Sequence, residues 1–270
     1  MNKKGSACFI ASHGMAGDLL FDWLPKALQL HPEIYIYMGE SIRSKYLKER
    51  TRKERPDPLQ FKKFLLDMCS DNYLLAGECF SYRTFHFRNL PKSFFKDCKV
   101  VNIVRDPIIW LHHYSQWRVN NCNMPTTNTF ATDWEWKITK HDKFKKLGLK
   151  KYQKKDVNIW SFFQGLDILT RMQSDIDDGF LCIKLEDLSK SLTNINKLLS
   201  YLSNGKIKFS SSYQDLIFSL QKEKRRKWHR LYLTHDEIVS EWKSWQKDAY
   251  EIILSPKYKK VFNKHGYILP

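Results

Sequence analysis

The sequence predicts an α/β fold with a mostly parallel central sheet flanked by helices in three layers. Runs rich in β-branched and aromatic residues alternate with segments of helical periodicity, which is typical of strands joined by crossover helices. The predicted strands are residues 7–12, 33–38, 73–80, 99–104 and 180–185. We predict one domain over residues 1–270, with basic insertions at about 41–63 and 120–155.

An arginine follows the fourth predicted strand. The apolar run 99–104 stops at Arg105, Asp106 and Pro107. Proline is favoured at the first position of a helix, and the ligands of open parallel sheets lie at the carboxyl ends of the strands. The junction therefore predicts an arginine that binds an anion, with a plain salt bridge as the alternative.

A glycine-containing loop follows the first predicted strand, and a segment of helical periodicity, 19–30, follows the loop. This order places free backbone N–H groups at a phosphate. The loop lacks the Gly-Lys-Ser/Thr ending of a nucleoside triphosphatase, so we do not expect that activity. The loop consists of His13, Gly14, Met15, Ala16, Gly17 and Asp18.

An ordered series of short motifs resembles the sulfotransferases, and it spans nearly the whole chain. The series comprises the residue 13–17 loop, His31-Pro32, the Arg105-Asp106-Pro107 junction, the segment 183–188 and His265-Gly266-Tyr267. The resemblance implies a P-loop-like sulfotransferase architecture. It also implies transfer of a sulfuryl group from 3′-phosphoadenylyl sulfate (PAPS) to a hydroxyl or an amine, without a metal ion.

The loop departs from the family pattern. Met15 stands where the family usually carries arginine or lysine, and Asp18 and Leu19 replace hydroxyl residues. The usual cation for the leaving group is therefore missing from its place, and Arg83, Lys26 or an insertion lysine would have to replace it. A catalytically impaired nucleotide-binding relative is the alternative that Met15 supports.

The resemblance also implies ligands for the 3′-phosphate of PAPS. Arg105 takes the role of the family's arginine. The family's serine eight residues later corresponds to His113, and Ser115 follows two residues further along the same predicted helix. Either side chain can donate a hydrogen bond to a phosphate.

The transfer requires a base for the acceptor's proton, and histidine suits this role because its ordinary pKa lies near neutrality. His86 precedes Leu90-Pro91 in a stretch that resembles the family's Lys-Thr-His-Leu-Pro, and it is the first candidate. His13 is the second. The alternative for His86 is simple packing between Phe85 and Phe87.

A late basic segment, 222–230, contains a tryptophan, as does the family segment that closes the nucleotide site. By this resemblance Arg225, Arg226 and Lys227 are further ligands of the 3′-phosphate. A nucleic-acid patch and a solvated helix end are the alternatives.

The formal net charge of +17 predicts affinity for polyanions, and it does not choose among them. A basic polyanion-binding or nucleic-acid-binding protein therefore stays an alternative, although no helix-turn-helix, RNA-recognition or zinc signature is present. The acceptor is a small molecule or a glycan. The basic segments favour an acidic glycan or lipid headgroup, whereas the 14% aromatic content also suits a pocket for a flat substrate.

The composition predicts a cytoplasmic protein without a transmembrane segment. The mean hydropathy is −0.54, and no apolar run approaches the roughly 20 residues that span a bilayer. The six cysteines form no Cys-x-x-Cys pair, which indicates reduced core thiols and gives no case for zinc.

Overall fold

The computed structural model describes residues 5–11, 22–38, 58–80, 90–121, 157–176, 179–225, 234–254 and 256–269. The strands are β1 (Ser6–Ala11), β2 (Ile34–Met38), β3 (Leu75–Phe80), β4 (Cys98–Val104) and β5 (Leu181–Lys184). The α-helices are α1 (Leu24–Leu28), α2 (Pro58–Asp71), α3 (Pro107–Asn121), α4 (Val157–Ile176), α5 (Leu185–Leu188), α6 (Leu192–Ser203), α7 (Gln214–Arg225), α8 (His235–Glu241), α9 (Ser244–Ile253) and α10 (Pro256–Lys264). Two 3₁₀ helices cover Lys92–Lys96 and Ser211–Tyr213.

The five strands form one parallel sheet in the order β2-β3-β1-β4-β5. This confirms the predicted α/β class, and each strand lies within two residues of its predicted bounds. Every residue of β1 is buried, as expected of a strand that has neighbours on both sides and helices on both faces.

The two faces of the sheet belong to two hydrophobic clusters. One face of β1 contributes Cys8 and Ile10 to a cluster with α1, α6 and the segment around Phe209. The other face contributes Ala7 and Phe9 to a cluster with Phe61 of α2. Alternation along β1 thus separates two cores, and the burial of both fixes the register of the strand.

Gly77 permits close contact between β3 and β1. A Cβ atom at this position would collide with the Sγ atom and the carbonyl oxygen of Cys8, its partner in the sheet register. Only glycine fits there without displacement of a buried strand.

The chain groups into two compact units. One comprises Met1–Arg105 with Asp178–His229 and contains the whole sheet; the other comprises Asp106–Asp177 with Arg230–Pro270. The single domain over residues 1–270 stays a prediction.

The C-terminal segment is divided where the sequence alone favours one helix, because apolar residues recur at helical spacing over residues 236–250. The structure has two helices there, α8 and α9, with extended backbone at Trp242 and Lys243. The Gln246 side chain accepts a hydrogen bond from the Lys243 N–H at 3.0 Å and begins the second helix. Helical spacing of the apolar residues continues across the break, so periodicity alone did not reveal it.

Five described cysteines, Cys8, Cys69, Cys79, Cys98 and Cys182, are free thiols. Burial raises the pKa of Cys69 to about 11 and that of Cys98 to about 12, and it raises the pKa values of Cys8 and Cys79 strongly. Each of these thiols is therefore neutral in the folded protein at pH values where an exposed thiol ionises.

We predict that the protein loses stability between pH 9 and pH 10. The folded state holds the Cys69 and Cys98 protons while the unfolded state releases them. The stability from each raised pKa is therefore complete below the unfolded value and is lost as the pH rises toward the folded value. Urea denaturation should show a loss of about 1 kcal/mol per buried thiol over this pH unit. Cys98→Ala should reduce the slope of stability against pH, and an unchanged slope in this variant would contradict the assignment.

Candidate functional site

The carboxyl ends of β3, β1 and β4 lie side by side. In the register of the sheet, Ala11 at the end of β1 pairs with Phe80 of β3 on one side and with Asn102 of β4 on the other. From β1 the chain moves first to β2 and β3 and later to β4 and β5, so the strand order reverses direction around β1. Such a reversal creates the crevice in which open α/β sheets bind ligands. The chain therefore leaves neighbouring strand ends toward three predicted parts of the site, which are the loop at 13–18, the segment with His86, and Arg105.

Arg105 follows the last residue of β4 directly and is half-buried. It therefore stands at the carboxyl edge of the sheet, one strand from the end of β1. A guanidinium group at this edge is suited to bidentate contact with a phosphate.

Asp106 caps α3. Its Oδ1 atom accepts hydrogen bonds from the Ile108 N–H at 3.0 Å and from the Ile109 N–H at 2.9 Å, and Pro107 occupies the first helical position. An acidic N-cap followed by proline is a favoured helix start, because the carboxylate satisfies N–H groups that have no partner in the helix. The predicted helix start after Arg105 is confirmed.

Asp106 also contacts a histidine that sequence reasoning missed. The His235 Nε2 atom lies 2.7 Å from Asp106 Oδ2, and the two residues are 129 positions apart in the chain. Both side chains are largely buried, with 25% and 13% exposure. The pair joins the start of α8 to the start of α3. No short sequence motif predicts a contact between residues so far apart in the chain.

Tyr250 is a further buried polar group of the same unit. Burial, together with the charges of Glu251 and Asp106, raises its pKa, so the hydroxyl stays protonated. Its oxygen is buried and has no hydrogen-bond partner among the described residues.

The two candidate phosphate ligands on α3 occupy different sides of the helix. His113 is buried, and Ser115 is half-buried. Positions two residues apart differ by about 200° around an α-helix. Because of that angle, we expect at most one of the two to contact the same phosphate.

A cavity of about 560 Å³ lies against the Ser115 side of α3. The α3 residues that line it recur at the helical spacing i, i+3, i+4 and i+7. Sequence reasoning missed this site, although the spacing of polar residues on one face of the predicted helix was its signal. The described lining residues are His112, Ser115, Gln116, Val119, Asn158, Phe162, Glu241, Trp242 and Gln246.

Two buried polar residues of the sheet were also missed. Glu78 of β3 is 5% exposed, and Asn102 of β4 is 4% exposed. Register pairs them with Phe9 and Ala11 of the intervening strand. Polar residues are uncommon in strands covered on both faces, and that contrast within two apolar runs was the signal that could have found them.

Most of the remaining predicted site residues lie outside the described part of the chain. Arg225 is the last residue of α7, and its side chain is not among those described. Lys26, a candidate substitute cation, forms an ion pair with Asp22 at 2.6 Å. The predicted residues outside the described ranges are His13, Gly14, Met15, Ala16, Gly17, Asp18, Arg83, His86, Arg226 and Lys227.

Within the described ranges, no group of three or more His, Cys, Asp or Glu residues is arranged to hold a metal ion. None of the described helices is both long enough and apolar enough to span a bilayer. The metal-free site and the cytoplasmic location stay predictions.

Comparison with solved structures returns sulfotransferases, the family that the sequence motifs resemble. Mouse sulfotransferase SULT7A1 complexed with PAP matches with 14% identity and a TM-score of 0.38, over 97% of this chain and 82% of that chain. The sulfotransferase domain from the curacin biosynthetic pathway matches with 13% identity and a TM-score of 0.40, over 98% of this chain and 99% of that chain. No family model and no curated protein sequence matches the chain.

We predict that Asp106→Ala lowers the free energy of unfolding by about 1–2 kcal/mol, because the N–H groups of Ile108 and Ile109 lose their acceptor. Asp106→Asn should lose less than half as much, because asparagine also caps helices. Urea denaturation at neutral pH measures both variants. Equal losses would show that the charge facing His235, rather than the cap, gives Asp106 its effect.

Proposed function

We propose that this protein is a sulfotransferase that takes a sulfuryl group from PAPS and gives it to a hydroxyl or an amine. The observation that carries the proposal is the position of Arg105 at the end of β4, beside the end of β1, where the glycine-containing loop begins. The order of the sequence motifs supports the choice of PAPS over other anionic ligands.

Arg105 binds the 3′-phosphate of the donor in this proposal. A bidentate guanidinium contact supplies both charge and direction, and one of His113 and Ser115 adds a hydrogen bond. Arg225, Arg226 and Lys227 supply further positive charge. The 5′-phosphosulfate lies on the backbone N–H groups of residues 14–18, following the general use of helix starts for anions.

The acceptor atom attacks sulfur in line and forms the new bond to it. The bond between sulfur and the bridging phosphate oxygen breaks, and adenosine 3′,5′-bisphosphate leaves with that electron pair. The acceptor's proton passes to His86 or His13, acting as general base. Negative charge grows on the bridging oxygen, so a nearby cation is needed. Because Met15 cannot supply it and Lys26 is paired with Asp22, Arg83 or an insertion lysine takes that role.

The first test is binding of adenosine 3′,5′-bisphosphate, measured by calorimetry at moderate salt. We predict micromolar affinity that falls at least about tenfold in Arg105→Ala, because one charge-assisted contact contributes roughly 1.5–3 kcal/mol. Lys208→Ala is the matched control, since it removes one positive charge from an exposed position and should leave the affinity unchanged. Adenosine 5′-monophosphate should bind much more weakly.

Two outcomes would redirect the proposal. Equally feeble binding of both nucleotides would overturn it and favour general polyanion binding, for which affinity falls steeply with salt. Tight, Arg105-dependent binding without transfer of labelled sulfate to any acceptor in a broad panel would favour the catalytically impaired relative.

A further inference from the structure

The cavity beside α3 is lined by residues of one compact unit, and buried polar groups are among them. His112 is only 5% exposed. Its Nε2 atom lies 3.0 Å from Gln116 Nε2 and 3.8 Å from Glu241 Oε2. The imidazole nitrogen thus sits between an amide and a carboxylate on the cavity wall, where it can accept or donate a hydrogen bond.

Ser115 supplies a second buried polar group. Its Oγ atom is buried and has no hydrogen-bond partner among the described residues. A buried hydroxyl without a partner costs roughly 1–3 kcal/mol. A ligand that brings its own hydroxyl into the cavity would recover this cost.

The charge of the cavity differs from that of the whole chain. The chain carries a net charge of +17, yet no lysine or arginine is among the described residues that line the cavity. Glu241 is the acidic member of this set, and its side chain is 53% exposed. A ligand with a carboxylate or sulfate would meet this like charge without a compensating cation from the described wall.

The remaining lining residues favour a ligand with many hydroxyl groups. Gln116, Asn158 and Gln246 provide amides, which both donate and accept hydrogen bonds. Phe162 and Trp242 provide an apolar aromatic wall, with ring centroids 5.2 Å apart. The volume of about 560 Å³ lies within the usual range of small-molecule sites, roughly 300–1,000 Å³. Together these features suit one or two neutral sugar rings.

We propose that this cavity binds a neutral, polyhydroxylated ligand of saccharide type, and that this ligand is the acceptor. The second clause rests on the proposed sulfotransferase function. The proposal replaces the acidic acceptor that the overall charge favoured with a neutral one. It assigns Ser115 to this ligand and leaves His113 as the α3 partner of the donor phosphate.

The test uses pairs of methyl glycosides that differ only at carbon 6. The neutral probes are the methyl β-glycosides of glucose and galactose, and the acidic probes are the corresponding uronides. Ligand-observed NMR titration of the native protein should give millimolar binding of at least one neutral glycoside. The matching uronide should bind at least tenfold more weakly.

Variants connect this preference to the cavity. Glu241→Gln should raise the affinity for the uronide and bring the two affinities within about threefold, since the like charge is removed. Ser115→Ala should weaken binding of the neutral glycoside at least threefold, as expected from loss of one hydrogen bond. Glu251→Gln is the matched control, because this exposed carboxylate is not among the described lining residues, and it should change neither affinity.

The result on native protein decides the proposal even if a variant fails to fold. Binding of adenosine 3′,5′-bisphosphate without binding of any neutral glycoside would overturn this inference and leave the proposed function standing. A uronide that binds more tightly than its neutral partner would also overturn it. Glycoside binding without nucleotide binding would overturn the acceptor assignment together with the proposed function.

Discussion

The candidate site depends on the parallel pairing of β1 with β3 on one side and β4 on the other. This pairing brings three strand ends, at Ala11, Phe80 and Val104, to one edge of the sheet, although the segments are distant in the chain. Close packing maintains it, because Gly77 leaves space only for Cys8 and both faces of β1 are buried. A slip of one residue would exchange the two hydrophobic faces, so the edge that carries Arg105 is fixed by the core itself.

Asp106 has a structural role, although it is the neighbour of Arg105, the residue predicted to bind an anion. Its two oxygens have separate partners, the helix N–H groups for Oδ1 and His235 for Oδ2. A carboxylate so placed would repel a phosphate if it pointed toward one. Its use as a cap explains why an Arg-Asp-Pro sequence can both deliver a cation and begin a helix.

The sequence alone predicted the strands of the sheet, but it did not predict the cavity. Parallel strands buried on both faces form continuous apolar runs, and runs such as 99–104 are visible without a structure. Pro107 marked the start of α3 for a similarly local reason. The His235–Asp106 contact and the cavity wall join residues more than a hundred positions apart, and such contacts follow from packing that no local pattern encodes. The break at Trp242 and Lys243 was hidden because apolar spacing continues through it.

The chain is strongly basic, whereas the described cavity wall carries an acidic residue. This difference in charge could allow the protein to distinguish an anionic donor from a neutral acceptor. A net charge of +17 raises the local concentration of any anion, which suits a donor with two phosphate groups and a sulfate. The same field would draw acidic glycans and nucleic acid to the protein. Glu241 on the cavity wall would oppose such ligands at short range under the proposed acceptor assignment, because direct contacts outweigh the screened field there. If both proposals hold, long-range charge would favour the donor, and local charge and hydrogen bonding would favour a neutral acceptor.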